Sequence, residues 1–166
     1  MGREELRQKT CCFTGHRDLP ADKPEEIAAR TADMIRRLII EYGVCFFGVG
    51  GAVGYDTLAA EVLFRIREKE FPNIKVILVY PFDGFTDRWP QAQRAEYQRL
   101  LPKYDKVVCA SSQPERDAYL KRNRCLVDGS AHCIAYCVRN DGGTAYTVRY
   151  AGRKGIPVWN VADHCI

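Results

Sequence analysis

The feature that most constrains this chain is its regular alternation of short apolar runs with amphipathic stretches. Residues 74–80, IKVILVY, contain almost no polar position, and residues 44–49, VCFFGV, contain none. Runs of this length with no polar alternation are strands covered on both faces, the pattern of a parallel sheet. Further strands are predicted at 10–14, 106–110, 133–137 and 157–161. Between the first two runs, Asp22 can cap a helix, Pro24 fits its first turn, and Ile27, Thr31, Met34, Ile35, Leu38 and Tyr42 form a stripe that Gly43 ends. Helices are also predicted at 55–69, 91–101, 118–128 and 144–153. Strands joined by helices imply crossover connections. The predicted fold is therefore α/β: a Rossmann-like, doubly wound, mainly parallel sheet with helices on both faces, one domain over residues 1–166. In such sheets a ligand binds beyond the carboxyl ends of the strands, where the strand order reverses.

Composition excludes several classes. A chain that is 46% hydrophobic and 28% charged is neither disordered nor membrane-embedded, and no apolar run approaches the ~18 residues of a membrane span. The charged first ten residues lack a signal-peptide core, so the expected location is cytoplasmic, away from membranes. A net charge of +4 with interspersed signs does not mark a dedicated nucleic-acid binder. The eight cysteines include no C-x-x-C pair. Cys11 and Cys12 point to opposite faces of a strand, and Cys133 and Cys137 would stand about 13 Å apart. The expectation is small buried hydrophobes with free thiols and no metal.

The chemistry is expected just after the strands. Thr14, Gly15, His16 and Arg17 follow the first, combining a close-approach glycine with donors for phosphate or carboxylate. Gly48 to Asp56, GVGGAVGYD, follows the second and turns into a helix, an arrangement that aims backbone N–H groups at an anion. Its spacing is not that of the dinucleotide fingerprint. Asp56 can cap that helix or accept bonds from ribose hydroxyls. Trp89, after the third strand, reads as a lid on the core ahead of a base-stacking residue. In the helix at 118–128, Asn123 falls inside the buried stripe with Arg122 at its edge, while Lys121 and Arg124 point to solvent. A buried amide needs partners, so Asn123 is expected to fix a loop or a ligand. After the fifth strand, Gly142 and Gly143 expose N–H groups and Thr144 is expected to be the helix cap.

Together these motifs resemble the YpsA-like family of the SLOG superfamily. The matching segments are FTGHR (13–17), GGAVGYD (50–56), Arg122–Asn123 and GGT (142–144). Residues 50–56 and 119–130 are also similar to the Rossmann domain of the DNA-processing protein A family. The resemblance implies a pocket for nucleotide-derived ligands, ADP-ribose-like molecules among them. It places Thr14, Gly15, His16, Arg17, Gly50, Gly51, Ala52, Gly54, Asp56, Arg122, Asn123, Gly142, Gly143 and Thr144 at the ligand. The superfamily also contains phosphoribohydrolases of the Lonely Guy type, whose motif carries a glutamate just after Gly-Gly-Thr. Here Ala145, Tyr146, Thr147, Val148 and Arg149 follow, with no carboxylate.

Three functions are ranked in order. The first is binding or sensing of a nucleotide-derived ligand, with no obligatory cofactor and no assigned catalytic residue. The second is N-glycosidic hydrolysis of a nucleoside monophosphate, with Asp56 or Glu61 replacing the missing glutamate. The third is single-stranded DNA binding, which would need a basic groove with interleaved aromatics. The expected partner is a small molecule, nucleic acid ranks below it, and assembly of identical copies is left open.

Overall fold

The computed structural model describes residues 1–162. Along the chain run α1 (Arg3–Gln8), β1 (Thr10–Gly15), α2 (Pro24–Tyr42), β2 (Phe46–Val49), α3 (Tyr55–Lys69) and β3 (Lys75–Tyr80). They are followed by α4 (Gln91–Leu100), β4 (Lys106–Cys109), α5 (Ala118–Asp128), β5 (His132–Tyr136), α6 (Gly142–Arg153) and β6 (Val158–Asn160). The strands form one sheet in the order β4-β3-β2-β1-β5-β6, with every adjacent pair parallel. The order reverses beside β1, which pairs β2 on one edge and β5 on the other.

Strand alternation distributes the core between the two faces. Cys11 and Phe13 of β1, Phe47 and Val49 of β2, and Val76 and Leu78 of β3 pack with Ile35 and Leu38 of α2 and Leu63 and Ile66 of α3. On the opposite face Cys12 and Cys133 meet Leu126 and Val127 of α5 and Ala151 of α6. That face is built from small residues, and a Cβ on Gly48 would stand only 3.0 Å from the Leu126 side chain. Close approach of α5 to the sheet depends on it.

Several element ends differ from the predicted ones. α1 was not foreseen in the charged N-terminal segment. Pro24 sets the first residue of α2, so the cap position falls on Lys23, not Asp22, and no side chain caps that helix. Gly43 does end α2, at φ 68°, and Val44 then donates to the Leu38 carbonyl instead of joining β2. Tyr42, expected on the buried stripe, is 46% exposed. Cys11, Cys12 and Cys133 are buried as expected, but Cys109 and Cys125 are exposed. All seven described cysteines are free thiols, and Cys165 lies outside the described residues. Cys12 and Cys133 are direct register partners on β1 and β5, a neighbourhood invisible from sequence spacing.

The end of β1 is pressed against the start of α3. The Tyr55 N–H donates to the His16 carbonyl at 3.1 Å, and the buried Tyr55 hydroxyl shares a 2.8 Å hydrogen bond with Thr31. A Cβ on Gly15 would overlap the Tyr55 side chain. Gly15→Ala should therefore cost about 1–3 kcal/mol through overpacking. Gly152, in the last turn of α6, has open space where a Cβ would go, so Gly152→Ala should stabilise by about 0.4–1 kcal/mol. Urea denaturation of the two variants checks the opposite signs.

Candidate functional site

Where β1 and β5 part at their carboxyl ends, the structure has a cavity of 430 Å³. Four connections converge on it. The end of β1 and the loop after it supply Thr14, Gly15, His16 and Arg17, and the turn into α3 with its first residues supplies Ala52 and Asp56. α5 supplies Arg122 and Asn123, and the start of α6 supplies Gly142, Gly143 and Thr144. Of the residues singled out in the sequence, Gly50, Gly51 and Gly54 do not line the cavity. Gly51, at φ 76°, packs on Leu78 and Tyr97, and Gly54, at φ 82°, lies against the Arg17 backbone. Gly51 thus lets the turn after β2 settle on β3 and α4, and Gly54 lets it approach the loop after β1.

Gly50 has a different task. A Cβ there would stand 2.8 Å from Arg122 Nη1 and 2.9 Å from Asp56 Oδ2, so a bare Cα separates a buried guanidinium from a buried carboxylate. Asp56 is 7% exposed and Arg122 4%. Asp56 Oδ2 accepts the Ala52 N–H at 3.1 Å, and Asp56 sits in the first turn of α3 without capping it, since the cap is Gly54. Arg122 Nη1 donates to the Gly50 carbonyl, and its Nε donates to Asn123 Oδ1 at 2.8 Å. The buried polar residue of α5 is thus Arg122, not Asn123, which is half-buried and orients the guanidinium. Lys121 and Arg124 are also half-buried rather than solvated. Burial pushes the Asp56 carboxyl up, against the pull of Arg122, the Ala52 N–H and Arg17. Burial likewise pulls Arg122 down, while Asp56 holds it up. Each charge makes the other tolerable.

His16 joins the loops after β1 and β5. Its backbone N–H donates to the Tyr136 carbonyl, and its Nε2 accepts the Val138 N–H at 2.9 Å. Since a backbone N–H can only donate, the imidazole proton sits on Nδ1. Arg17 is exposed and its guanidinium lies 5.3 Å from the Tyr119 ring centroid. α6 begins at Gly142 with Asp141 as a cap that makes no side-chain hydrogen bond, so Thr144 is inside the helix and not its cap. Nothing lies within 4 Å of where a Cβ on Gly142 or Gly143 would stand, which leaves that helix end uncrowded.

The sequence reading missed Asp18, Tyr119, Arg139 and Asp141, all of which line the cavity. Asp18 and Arg139 follow β1 and β5, so the strand-end rule alone would have flagged them. Glu61, considered as a substitute acid, lies on α3 away from the cavity and bonds Arg99. It lines a larger groove of 850 Å³ between α2 and α3, floored by Ala28, Ala32 and Leu58. That groove reaches Leu19, Val53 and Gly54 in the segments after β1 and β2, but carboxylates outnumber cations on its walls, Glu25, Asp33, Glu61 and Glu96 against Arg36 and Arg65. Trp89 packs edge-on against Phe85 and Tyr97, as a core lid does. Among the described residues no group of three or more His, Cys, Asp or Glu could hold a metal ion.

Two tests follow from the charges. Arg122→Met strands Asp56 and Asp56→Asn strands Arg122, so each should destabilise by about 3 kcal/mol. The double variant should lose clearly less than the sum, a coupling of roughly 0.5–3 kcal/mol in a denaturation cycle. His16 is lowered by burial and by Arg139, against Asp18 and Asp141. A depressed folded value means that stability is full above the unfolded pKa of about 6.5 and is lost as pH falls from there through the folded value. His132, also lowered by burial, titrates in the same direction. His16→Gln keeps an acceptor for Val138 and should flatten the His16 share of the loss when melting is followed from pH 7.5 to 5.

The YpsA profile, described as the YspA SLOG family, matches residues 22–155, which leaves the loop at 14–17 outside the match. A UPF0398 protein of Bacillus pumilus is 28% identical over 152 residues, 86% of this chain and 81% of that protein. Another from Shouchella clausii is 33% identical over 85 residues, 51% of this chain but only 45% of its own length. Among solved structures, DNA processing protein A from Helicobacter pylori, studied for its single-stranded DNA binding mode, superposes with a TM-score of 0.64 at 16% identity. The same protein from Streptococcus pneumoniae gives 0.65 at 18%. Each match covers 92% of this chain, and 64% and 50% of those longer chains respectively. At these identities the likeness is one of fold, and it accords with the parallel sheet and its reversal beside β1. No described helix is long and apolar enough to cross a membrane. With the family match running through most of its length, the chain belongs to the YpsA (YspA SLOG) family.

Proposed function

We propose that this chain binds a small nucleotide-derived ligand in the cavity between β1 and β5, and that it does so without rapid turnover. The observation that carries the reading is the meeting of an uncrowded helix end and a buried carboxylate in one cavity at the sheet's switch point. In this reading a phosphoryl group sits at the first turn of α6, near Arg17, and Asp56 accepts bonds from ribose hydroxyls. The cavity's 430 Å³ is within the usual range for small-molecule sites. Of the two carboxylates weighed for N-glycosidic hydrolysis, only Asp56 lines the cavity; Asp18 and Asp141 line it too, with Asp18 paired to Arg139. One oxygen of Asp56 already holds the Ala52 N–H.

A second reading is single-stranded DNA binding. It is favoured by a row in which Phe82 meets Tyr119 edge-on and Arg17 and Arg122 lie over the Tyr119 ring. Base stacking on such a row is sequence-tolerant. Single-stranded DNA is bound by DNA processing protein A of Helicobacter pylori, whose fold this chain shares.

Thermal denaturation with AMP, ADP, ADP-ribose, NAD and an oligothymidylate decides between them. A ligand at 100 times its Kd adds about 2.7 kcal/mol, or several degrees for a chain of this size. The expected result is such a shift with at least one nucleotide, lost in Arg17→Ala although that variant melts like wild type when unliganded. A shift with the oligothymidylate alone would sink the small-ligand reading. Free-base release from AMP near ~10 s⁻¹, abolished by Asp56→Asn, would replace binding with hydrolysis.

A further inference from the structure

One charged pair at the cavity has no part in the reading above. Arg139 Nη1 and Nη2 donate to Asp18 Oδ2 and Oδ1 at 3.0 and 2.8 Å, a fork-to-fork pair across the loops after β5 and β1. Both residues line the cavity, and their side chains are 45% and 73% exposed. Beneath them His16 bonds both the Tyr136 carbonyl and the Val138 N–H, so the loops that carry the pair are held together at their base. Arg139 is therefore presented to the cavity already ordered, with only an exposed carboxylate on it. The pair is bidentate but open to water, so a phosphoryl group, which offers the same fork more negative charge, can compete with the Asp18 carboxylate for it.

The other cations of the cavity are differently placed. Arg122 is buried and committed to the Gly50 carbonyl and Asn123. Arg17 lies on the Tyr119 ring with its guanidinium at the surface, and it can meet a first anionic group. A second anionic group on the same ligand finds a cation beside the first only if Arg139 leaves Asp18. Asp18 directly follows Arg17 in the chain, so the exchange happens next to the first group.

We propose that Arg139 is a second anion-binding residue of this site, held in reserve by Asp18, and that the site selects ligands with two phosphoryl groups. The ligand class is then a nucleoside diphosphate or its sugar ester in preference to a nucleoside monophosphate. This rests on the nucleotide-binding reading and adds a specificity to it.

Calorimetric titration of AMP, ADP and an oligothymidylate into wild type, Asp18→Asn and Arg139→Gln at fixed salt tests the idea. Both substitutions are at exposed positions, and unchanged melting curves verify the fold. Asp18→Asn removes the competitor and should tighten ADP about two- to fivefold while leaving AMP within twofold. Arg139→Gln should weaken ADP about tenfold or more and spare AMP. Equal effects on AMP and ADP, or none on either, overturn the second-anion role while wild-type binding keeps the nucleotide reading. Tightening of the oligothymidylate but not of ADP assigns Arg139 to a DNA backbone and overturns the diphosphate selection. Wild-type protein that binds neither nucleotide overturns both readings.

Discussion

The cavity exists because β1 is bonded along both edges while the chain beyond it leaves in two directions. After β1 the chain adds β2, β3 and β4 on one side, then returns to place β5 on the other. A parallel neighbour cannot be reached by a hairpin, so α5 has to carry the chain back under the sheet, packed on β1 and β3. That return helix also bears Arg122 and sets its guanidinium against Gly50. Topology and electrostatics are thus one device: the element that reverses the strand order delivers the buried cation to the crevice which the reversal opens. The small residues on this face, Cys12, Cys133 and Gly48, let α5 come close enough to do so.

Holding Asp56 and Arg122 out of water opposes folding for each of them, as the direction of both shifts shows. A hydrophobic pair of equal volume would serve a purely structural purpose as well or better. The molecule instead keeps the charges and supports them with an amide from Asn123, a carbonyl from Gly50 and an N–H from Ala52. It also reserves Gly50 as the only residue that fits between them, since any side chain would displace one charge or the other. For the proposed ligand, such fixed, buried polar groups would be oriented in advance, which lowers the ordering cost of binding. The cost in stability and the gain in preorganisation have the same origin.

Much of this was legible in the sequence, for physical reasons that also mark where reading stopped. Strands buried on both faces announce themselves as unbroken apolar runs, so β2 and β3 were found with errors only at their ends. The errors came from caps: Pro24 moved one helix start, and Asp141 displaced Thr144 at another. The strand-end rule brought Thr14, His16, Asp56 and Gly143 to one cavity because it depends on connectivity alone. The misassignment on α5 has a different cause. Spacing places Asn123 with Tyr119 and Val127, and an arginine is rarely read as buried because it needs a partner. The partner here is Asp56 on another helix, and only the packing of α5 under Gly50 brings the two together. Asp18 and Arg139 stand just after β1 and β5, where the strand-end rule points, but their pairing with each other depends on the two loops meeting in space.

Charge balance within the cavity bears on what kind of anion it suits. Arg17, Arg122 and Arg139 stand opposite Asp18, Asp56 and Asp141, so the formal charges of its walls cancel although the whole chain carries +4. Nucleic-acid backbones are held by many unpaired cations along a groove, with an affinity that falls steeply as salt rises. A cavity whose walls carry no net formal charge offers little of that long-range pull. What it offers instead is direction: a helix end, a buried carboxylate and the Arg17 guanidinium on the Tyr119 ring. Binding then depends on whether one molecule can satisfy those groups together, and the proposed exchange at Arg139 releases positive charge only when a ligand's own anion replaces Asp18. On that proposal the site would favour a small, multiply charged ligand over a polymer, because its attraction would appear at contact, after the existing pair has been broken.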